Sequence, residues 1–365
     1  MPDRLRISFF VSSLVSAYWN GAATYYRGLG RALAARGHAL TFYEPDAWDR
    51  QRHRDIPAPD WARSVVWDPG APGALERCLE EAAHDNLVVK ASGLGVDDAR
   101  LEALLPEARR PGGRIAFWDV DAPATLDRAE RDPTNPWRAL LPRYDLVFTY
   151  GGGPPVVHRY LALGARGCVP VYNALDPETH HPVPPDPRFA CDLAFLGNRL
   201  PDREARVDDF LLGAASRLPG RAFLLAGSGW GDKPRPANVR VLGHVGTADH
   251  NAFNRTPLAV LNVSRDGMAS NGHSPATRVF EAAGAGACLV TDAWVGLEAF
   301  LAPGEEVLVA RDGAEVAELV AGLEPARARR IGEAARRRVL AGHTYALRAE
   351  VVERALGVKG GRSAA

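Results

Sequence analysis

The sequence predicts an α/β protein made of two domains of the same kind. Short apolar runs alternate with helical patterns, starting with LRISFFV at residues 5–11, a helix at 22–36 and the strand HALTFYE. This order is typical of a parallel sheet with crossover helices. The alternation restarts after a segment rich in proline and aspartate, and 365 residues exceed one ordinary domain. The economical interpretation is two Rossmann-like domains that face each other across a cleft.

The predicted domain boundaries follow that segment. Residues 1–172 form the first domain, and NALDPETHHPVPPDP, residues 173–187, forms a linker. Residues 188–342 form the second domain. Residues 343–365 form a final helix, which can cross back to the first domain, and a tail.

Composition excludes several classes of protein. The chain carries 44 basic and 44 acidic side chains, so it has no electrostatic footprint for nucleic acid or for an anionic membrane. No apolar run approaches the ~20 residues of a membrane span, and no secretory leader is visible. The 4 cysteines lack CxxC spacing, which favours a reducing, cytoplasmic location. No His, Cys and Asp cluster has metal-ligand spacing, so we expect no metal and no cofactor.

The other predicted elements continue the alternation in chain order. In the first half they are a short strand near Val65, helix 73–84, strand 87–91, helix 97–104, strands 115–118 and 146–150, helix 155–163 and strand 168–172. In the second half they are strand 193–196, helix 202–217, strands 222–226 and 239–242, a short helix near Asp249, strand 306–310 and helices 313–322, 325–341 and 345–356.

The stretch from Leu258 to Asp292 is where we expect the functional site. It is interpreted as a buried strand at 258–263, a polar loop at 264–273, a helix capped by Ser274 with Pro275 in its first turn, and a strand from Cys288. Arg278 and Glu281 are three residues apart and share one helix face. A polar loop that leads into a helix N-terminus at the end of a parallel strand is a typical anion site. The alternative is a surface connection with an ordinary Arg–Glu pair.

Arginines also follow the first strand of the second domain. Arg199 comes after Gly197-Asn198, and Arg203 lies four residues later. Guanidinium groups in this place suit a pyrophosphate, because arginine offers fixed bidentate donors. Arg203 lies between Asp202 and Glu204, so a solvated surface pair is its alternative. Arg199 is the preferred candidate.

The first domain offers weaker candidates. Asn20 and Gly21 precede the first long helix, where a ligand can approach the backbone, although a tight turn would need the same glycine. Asp119 and Asp121 follow a strand, and Asp121 is the preferred general base, because Asp119 can cap the turn before Pro123. Gly152 lies in a triple-glycine loop that allows close backbone approach or is only a flexible turn. Contacts to the second substrate are expected around Tyr18, Trp19, Trp118 and Gly152.

With these residues in place, the chain resembles a GT-B glycosyltransferase and is similar to the spore maturation protein CgeB family, with a C-terminal domain of the glycosyl transferases group 1 type. The resemblance covers roughly residues 173–356. It is carried by NALDPETHHPVP, CDLAFLGNRLPDREARV, LLAGSGW, NVRVLGHV, LNVSRDGMASNGHSPATRVFEAAGAGACLVTD, GEEVLVARD and GHTYALRAEVV. The N-terminal segment resembles the acceptor side of such enzymes more loosely.

The resemblance implies a site in the second domain for a nucleotide-diphosphate sugar. Glu281 then holds the ribose, Arg199 and Arg203 hold the diphosphate, and residues Gly272 to Ser274 face the donor sugar and phosphate. Many retaining GT-B enzymes carry a glutamate eight positions before the one that matches Glu281. This chain has His273 there, which can hydrogen-bond a hydroxyl or, if charged, a phosphate.

The leading hypothesis is therefore metal-independent transfer of a sugar from a nucleotide-diphosphate sugar to an unidentified acceptor, with Asp121 and His273 as candidate catalytic residues. Leaving-group charge would be stabilised by Arg199, Arg278 and the helix N-terminus. The alternatives are another GT-B activity such as a sugar-nucleotide epimerase, or a non-catalytic nucleotide-sugar-binding protein. An NAD-dependent oxidoreductase is less favoured, because the glycine fingerprint GxGxxG is missing.

Overall fold

The chain divides into two compact units. The computed structural model describes residues 4–18 and 20–358. Unit 1 consists of the residues up to Tyr172 together with those from Tyr345 onward, and unit 2 is Asn173–Thr344. The segment 173–187 is therefore part of unit 2, whereas the final helix belongs to unit 1.

Each unit contains one parallel sheet. The strands of unit 1 are β1 (Arg6–Phe10), β2 (Ala39–Pro45), β3 (Arg63–Trp67), β4 (Leu87–Ala91), β5 (Arg114–Asp119), β6 (Leu146–Thr149) and β7 (Cys168–Pro170). The strands of unit 2 are β8 (Leu193–Leu196), β9 (Phe223–Ala226), β10 (Val239–Leu242), β11 (Ala259–Asn262), β12 (Leu289–Asp292) and β13 (Leu308–Ala310). Every pairing within both sheets is parallel.

The strand orders confirm the predicted Rossmann-like domains. The seven-stranded sheet runs β3-β2-β1-β4-β5-β6-β7, and the six-stranded sheet runs β10-β9-β8-β11-β12-β13. In each sheet the first strand lies beside the fourth, and the direction of winding reverses between them. Open α/β sheets bind ligands outside the carboxyl ends of the strands at this switch point. The switch point of unit 2 lies between β8 and β11.

Helices connect the strands. They are α1 (Ala23–Ala35), α2 (Ala74–Ala82), α3 (Asp98–Glu107), α4 (Ala122–Arg131), α5 (Pro136–Leu140), α6 (Gly153–Ala162), α7 (Pro201–Val207), α8 (Ala214–Arg217), α9 (His250–Arg255), α10 (Asp266–Asn271), α11 (Thr277–Gly284), α12 (Gly313–Ala321), α13 (Pro325–Gly342) and α14 (Tyr345–Leu356). A π-helical segment, Asp208–Gly213, joins α7 to α8. Among the described residues, no helix combines the length and the apolar character that a membrane crossing requires.

Three helices were not predicted from the sequence. Pro123 lies in the first turn of α4 and Pro136 in that of α5, and no element was predicted between the strands 115–118 and 146–150. The loop after β11 contains α10, whose six residues bury no side chain and so lack an apolar periodicity. Proline is compatible with the first helical turn, so its presence marks the start of such helices as readily as a loop.

The core of unit 2 explains why its strands are continuous apolar runs. All four residues of β8 and all four of β11 are buried. A parallel strand that is covered by helices on both faces has no polar side. Helix α11 closes this core with Val279 and Phe280, both fully buried, and this packing fixes the position of its remaining side chains.

The close approach of α11 to the segment 175–180 depends on Gly284. A Cβ on this residue would lie 2.3 Å from Leu175 Cδ1 and 2.9 Å from the carbonyl oxygen of His180. A side chain at this position would therefore push the segment away from the helix. This contact places His180 beside the face of α11 that carries Glu281.

We expect Gly284→Ala to lower the free energy of unfolding by about 1–3 kcal/mol, because the methyl group overpacks a closed contact. Gly342→Ala is the matched control. Gly342 is also the last residue of a helix and has nothing within 4 Å of a Cβ, so its effect should stay within about 0.5 kcal/mol. Urea unfolding followed by circular dichroism measures both, and equal effects would contradict the close packing.

Candidate functional site

The candidate site lies at the carboxyl ends of β8 and β11 in unit 2. The loop after β8, from Gly197 to Leu200, leads into α7. The loop after β11 runs through α10 to the start of α11. Because adjacent parallel strands end at the same edge of a sheet, both loops border the switch point.

A buried carboxylate fixes the start of the loop after β11. Asp292 has no exposed surface and lies at the end of the neighbouring strand β12. It accepts hydrogen bonds from the backbone N–H of Ser264 at 3.2 Å and from its hydroxyl at 3.1 Å. Arg206 of α7 forms an ion pair with the other carboxylate oxygen at 2.7 Å. One side chain thus ties both loops of the site together.

Two consecutive left-handed residues shape the end of that loop. Gly272 has φ of +68°, and a Cβ there would lie 2.8 Å from the carbonyl oxygen of Val295. His273 follows with φ of 47° and donates its backbone N–H to the same carbonyl at 2.7 Å. A Cβ on Gly296 would lie 2.1 Å from His273 Nδ1, so the imidazole ring packs directly on that glycine. Left-handed non-glycine residues cost energy and cluster at functional sites.

The predicted cap of α11 by Ser274 is wrong. The helix begins at Thr277, and its N-cap is Ala276, which provides no side-chain cap. Ser274 instead donates its hydroxyl to the carbonyl of Gly272 at 2.9 Å. The carbonyl of Pro275 accepts a hydrogen bond from Asn173 Nδ2 at 2.9 Å, which holds this segment outside the helix. The N-terminus of α11 is thus left without a side-chain partner.

Arg203 and Arg278 are partly buried and have no ion-pair partner among residues 4–18 and 20–358. Arg203 donates to the carbonyl of Asn198 at 2.7 Å, and Arg278 contacts Asn254 Oδ1 at 3.4 Å. Burial lowers the pKa of Arg203 to about 10, with a further contribution from the positive charge of Arg278. The local alternative for Arg203, a surface pair with its neighbours, is not observed, because Asp202 pairs with Arg265 at 2.6 Å.

Arg199, the preferred candidate from the sequence, has a different environment. It forms ion pairs with Glu204 at 2.7 Å and with Asp232 at 3.1 Å. The hydrogen bond from Arg199 and that from Lys233 lower the pKa of Glu204 to about 2. The positive charge of Arg199 is therefore compensated inside the protein, whereas that of Arg203 is available to an anion.

Glu281 lies on α11 and is buried, with 5% of its surface exposed. Burial raises the pKa of its carboxyl group, but His180, Arg278 and His250 outweigh burial and hold the pKa below its usual range. His180 Nε2 lies 3.9 Å from one of its carboxylate oxygens. Among the described residues no donor lies within hydrogen-bonding distance of this carboxylate. Burying a carboxylate without hydrogen bonds costs free energy, so a ligand that donates hydrogen bonds to Glu281 would be bound favourably.

In unit 1, Asn20 is buried and fully engaged in holding its loop. It accepts a hydrogen bond from Ser12 and donates to the carbonyls of Ser13 and Ser16. Gly21 is exposed, and nothing lies within 4 Å of a Cβ there. Asn20 therefore shapes the loop, and Gly21 is the part of it that is open to solvent. Trp19, between them and Tyr18, lies outside the described residues.

The two aspartates after β5 differ in their surroundings. Asp119 is buried and accepts hydrogen bonds from Ser92, Thr125, Tyr160 and the backbone N–H of Asp121. This network fits the structural alternative for Asp119. Asp121 lies at the N-cap position of α4 and is partly exposed.

Gly152 and Trp118 are two further candidate positions of the first domain that the structure describes. Gly152 has φ of +90° and lies at the N-cap of α6. Trp118, which was expected near the second substrate, is 1% exposed and packs in the core against Phe148, so that expectation is wrong.

Comparison with known families gives one match. The family described as "Glycosyl transferase-like" matches residues 203–354, which is less than half of the chain. The matched region contains the loop after β11, helix α11 and Arg203. No curated protein matches the sequence.

Solved structures match over almost the whole chain. Sucrose-phosphate synthase from Thermosynechococcus elongatus is 18% identical, with a TM-score of 0.70 over 96% of this chain and 99% of that one. HepE from Anabaena, in complex with UDP and glucose, is 13% identical, with a TM-score of 0.67 over 97% and 100%. An alpha-glucosyltransferase in complex with UDP-glucose and DNA is 11% identical, with a TM-score of 0.70 over 98% and 100%. The chain has the GT-B fold.

Sequence reasoning missed three side chains that surround the GT-B candidate site. Asp292 was interpreted only as the end of a strand, His180 lies in the segment that was assigned to a linker, and His250 was not considered. Each lies far in sequence from the residue it contacts. Only the packing of α11 against the segment 175–180 brings His180 near Glu281, and no spacing rule encodes such a contact.

Stability should depend on pH through His250. Burial lowers the pKa of its imidazole from 6.5 to about 4. Between these values the unfolded chain binds the proton and the folded chain does not, so stability rises with pH and is lost as pH falls through this window. The unchanged chain should lose on the order of 2–3 kcal/mol of its free energy of unfolding across this window. His250→Gln should not show this loss, and its amide can still donate to the carbonyl of Val245.

The measurement is urea unfolding of both proteins between pH 7 and pH 4. Carboxylates titrate in both chains, so the difference between the two curves isolates the contribution of position 250. A difference that stays constant with pH would show that His250 is not held neutral by the fold.

Proposed function

We propose that this chain is a glycosyltransferase that moves a sugar, of the hexosyl class, from a nucleotide-diphosphate sugar to an acceptor, without a metal ion in the transfer step. We further propose that it is a CgeB-like, cytoplasmic member of the glycosyltransferases of this fold. Unit 2 is the donor side and unit 1 the acceptor side.

The observation that carries the proposal is the pair Arg203 and Arg278. Burial and the charge of Arg278 lower the pKa of Arg203, and neither of these partly buried guanidinium groups forms an ion pair with a carboxylate among the described residues, so an anion would stabilise both. The N-terminus of α11 has no side-chain cap and adds free backbone donors beside Arg278. A diphosphate supplies enough oxygen acceptors for both guanidinium groups and the helix N-terminus.

The compared structures suggest which donor to test first. HepE from Anabaena is described in complex with UDP-glucose, and so is the alpha-glucosyltransferase. We therefore propose UDP-glucose as the first candidate donor. The match of residues 203–354 to a glycosyl transferase-like family supports the placement of the donor in unit 2.

The same residues suit the chemical step. As the bond between the sugar and the diphosphate breaks, negative charge develops on the leaving phosphate oxygen. Arg203, Arg278 and the α11 N-terminus are fixed before the reaction and stabilise that charge, and one such donor is worth about 3 kcal/mol. This stabilisation by the protein takes the place that a metal ion would fill elsewhere.

The remaining residues have proposed positioning roles. Glu281, which lacks hydrogen-bond donors, accepts the ribose hydroxyls. His273 is held in a left-handed conformation and directs its ring toward the donor sugar in the place where many related enzymes have glutamate. Gly272 and Ser274 keep the backbone close to the sugar phosphate. Arg199, with compensated charge, orients α7.

On the acceptor side, Asp121 is the proposed general base. It is the partly exposed member of the aspartate pair after β5. The loops at Asn20-Gly21 and at Gly152 are proposed to contact the acceptor, since both lie at the carboxyl end of the sheet in unit 1.

The first test is a calorimetric titration of the full chain with UDP, GDP and TDP. We expect one of them to bind in a single site. NMR of the product with and without candidate acceptors then separates transfer from epimerisation and from binding alone. If none of the three nucleotides binds, the proposal is wrong.

Arg203→Gln should weaken UDP binding by tenfold to a hundredfold, because each hydrogen bond to a charged group contributes about 1.5–3 kcal/mol. Arg199→Gln is the matched control. Its guanidinium already pairs with Glu204 and Asp232, so we expect less than a threefold change in Kd. The reverse order of effects, measured by calorimetry, would move the diphosphate to Arg199.

Glu281→Ala should separate recognition of the ribose from that of the diphosphate. We expect a loss of at least tenfold in affinity for UDP and little change for inorganic pyrophosphate, since only the ribose donates to this carboxylate. Arg203→Gln should weaken both ligands. A Glu281 variant that loses pyrophosphate to the same degree as UDP would contradict the ribose assignment.

A further inference from the structure

Two histidines and a glutamate converge inside unit 2, and the proposed transfer does not use the histidines. One ring nitrogen each of His180 and His250 and one carboxylate oxygen of Glu281 lie within 4.8 Å of one another. The three residues come from the segment 173–187, from α9 and from α11. His180 and Glu281 are buried, and His250 is partly buried.

The hydrogen bond on the far side of His180 favours one tautomer. The hydroxyl of Thr179 donates to the carbonyl of Asp176 at 3.3 Å, so its oxygen accepts from His180 Nδ1, 2.9 Å away. With Nδ1 as the donor, Nε2 presents a lone pair when the ring is neutral. That nitrogen faces the carboxylate oxygen of Glu281 at 3.9 Å. Two lone pairs that face each other in a buried place repel unless a positive charge lies between them.

His250 is arranged in the same way. Its Nε2 lies 3.3 Å from the carbonyl oxygen of Val245, which can only accept, so the ring donates from Nε2 and keeps the lone pair on Nδ1. Histidines that bind metals carry this kind of second hydrogen bond, which sets the ring orientation and the tautomer. Both rings therefore have the outer partner that a metal ligand needs.

We propose that His180, His250 and Glu281 form a binding site for a divalent transition metal ion, and that Zn²⁺ is the ion that fits this set of donors. Two neutral imidazoles and a carboxylate are common zinc ligands, and they leave a fourth position for water. Tetrahedral zinc at about 2.0–2.1 Å from each ligand needs donor atoms roughly 3.3 Å apart. The observed spacing is wider than this, so a bound ion would draw the three side chains together.

The charged group that opposes the ion is Arg278. It lies three residues before Glu281 on α11, and its charge acts on both Glu281 and His250. A guanidinium near a cation weakens binding, so Arg278 sets a limit on the affinity for metal. This opposition provides a test that does not depend on loss of function.

The metal site has a consequence that rests on the proposed function. Glu281 is also the proposed acceptor for the ribose, and one buried carboxylate cannot serve a zinc ion and two hydroxyls equally well. Zinc should therefore weaken the binding of UDP. The metal ion would act as an inhibitor of donor binding, while the transfer itself needs no metal.

The experiment is a titration of the chelator-treated full chain with Zn²⁺ in the absence of nucleotide, by calorimetry, together with the visible spectrum of bound Co²⁺. We expect one equivalent and a tetrahedral Co²⁺ spectrum. His180→Asn and His250→Asn should each weaken binding by at least tenfold. His181→Asn is the matched control, because His181 is adjacent to His180 in sequence but is exposed and lies outside the cluster. No binding, or equal binding by all of these variants, would overturn the site.

Arg278→Gln should bind Zn²⁺ more tightly than the unchanged chain, because a positive charge has been removed. A variant that merely fails to fold cannot show this gain, and an unchanged or weaker affinity would contradict the site.

The UDP titration is then repeated with and without Zn²⁺ in the unchanged chain and in His180→Asn. Chelation of zinc by UDP in solution is the same for both proteins, so a zinc effect confined to the unchanged chain supports the shared carboxylate. If UDP does not bind at all, the proposed function fails while the zinc titration still tests the metal site. If zinc binds but leaves UDP affinity unchanged in both proteins, the site stands and the inhibition is wrong.

Discussion

The candidate site depends on two arginines that lie at the edge of a parallel sheet without an ion-pair partner in the part of the chain that the structure describes. Burial and the charge of Arg278 lower the pKa of Arg203, and among the described residues neither arginine forms an ion pair, although Glu281 favours the charge of Arg278 from a longer distance. Arg206 of α7, by contrast, forms an ion pair with the buried Asp292. An anionic ligand at the switch point can compensate this charge, and this links the strand order to the proposed chemistry.

The fold was largely readable from the sequence because its physical signals are local. A strand such as β8 is buried on both faces and appears as an uninterrupted apolar run, so its limits were predicted as residues 193–196 and observed as Leu193–Leu196. Helix α10 was not predicted, because a short helix that buries nothing leaves no periodic pattern. The start of α11 was misplaced for a different reason. Ser274-Pro275 has the local pattern of a cap, but the distant side chain of Asn173 holds the carbonyl of Pro275.

Only the general location of the candidate site could be predicted from the sequence. The residue types and the position of the loop after β11 pointed to an anion site, because glycine, serine and arginine near a helix start have a local meaning. The ranking of Arg199 above Arg203 depended on which carboxylate each would meet. Sequence adjacency suggested that Asp202 and Glu204 would pair with Arg203, whereas they pair with Arg265 and Arg199. Ion pairing is decided by the direction in which each side chain leaves its helix, and that direction follows from tertiary packing.

The surroundings of Glu281 show how one buried carboxylate can connect recognition and control. The close contact at Gly284 brings the segment 175–180 against α11, and it thereby places His180 Nε2 near a carboxylate that no donor satisfies. Such a carboxylate is stabilised by any partner that brings positive charge or hydroxyl protons. Ribose hydroxyls and a metal ion are two such partners, and they differ in what they require of the imidazoles. The hydroxyls need only the carboxylate, whereas the ion also needs the two ring lone pairs. The histidines are therefore the part of the cluster that nucleotide binding alone does not explain.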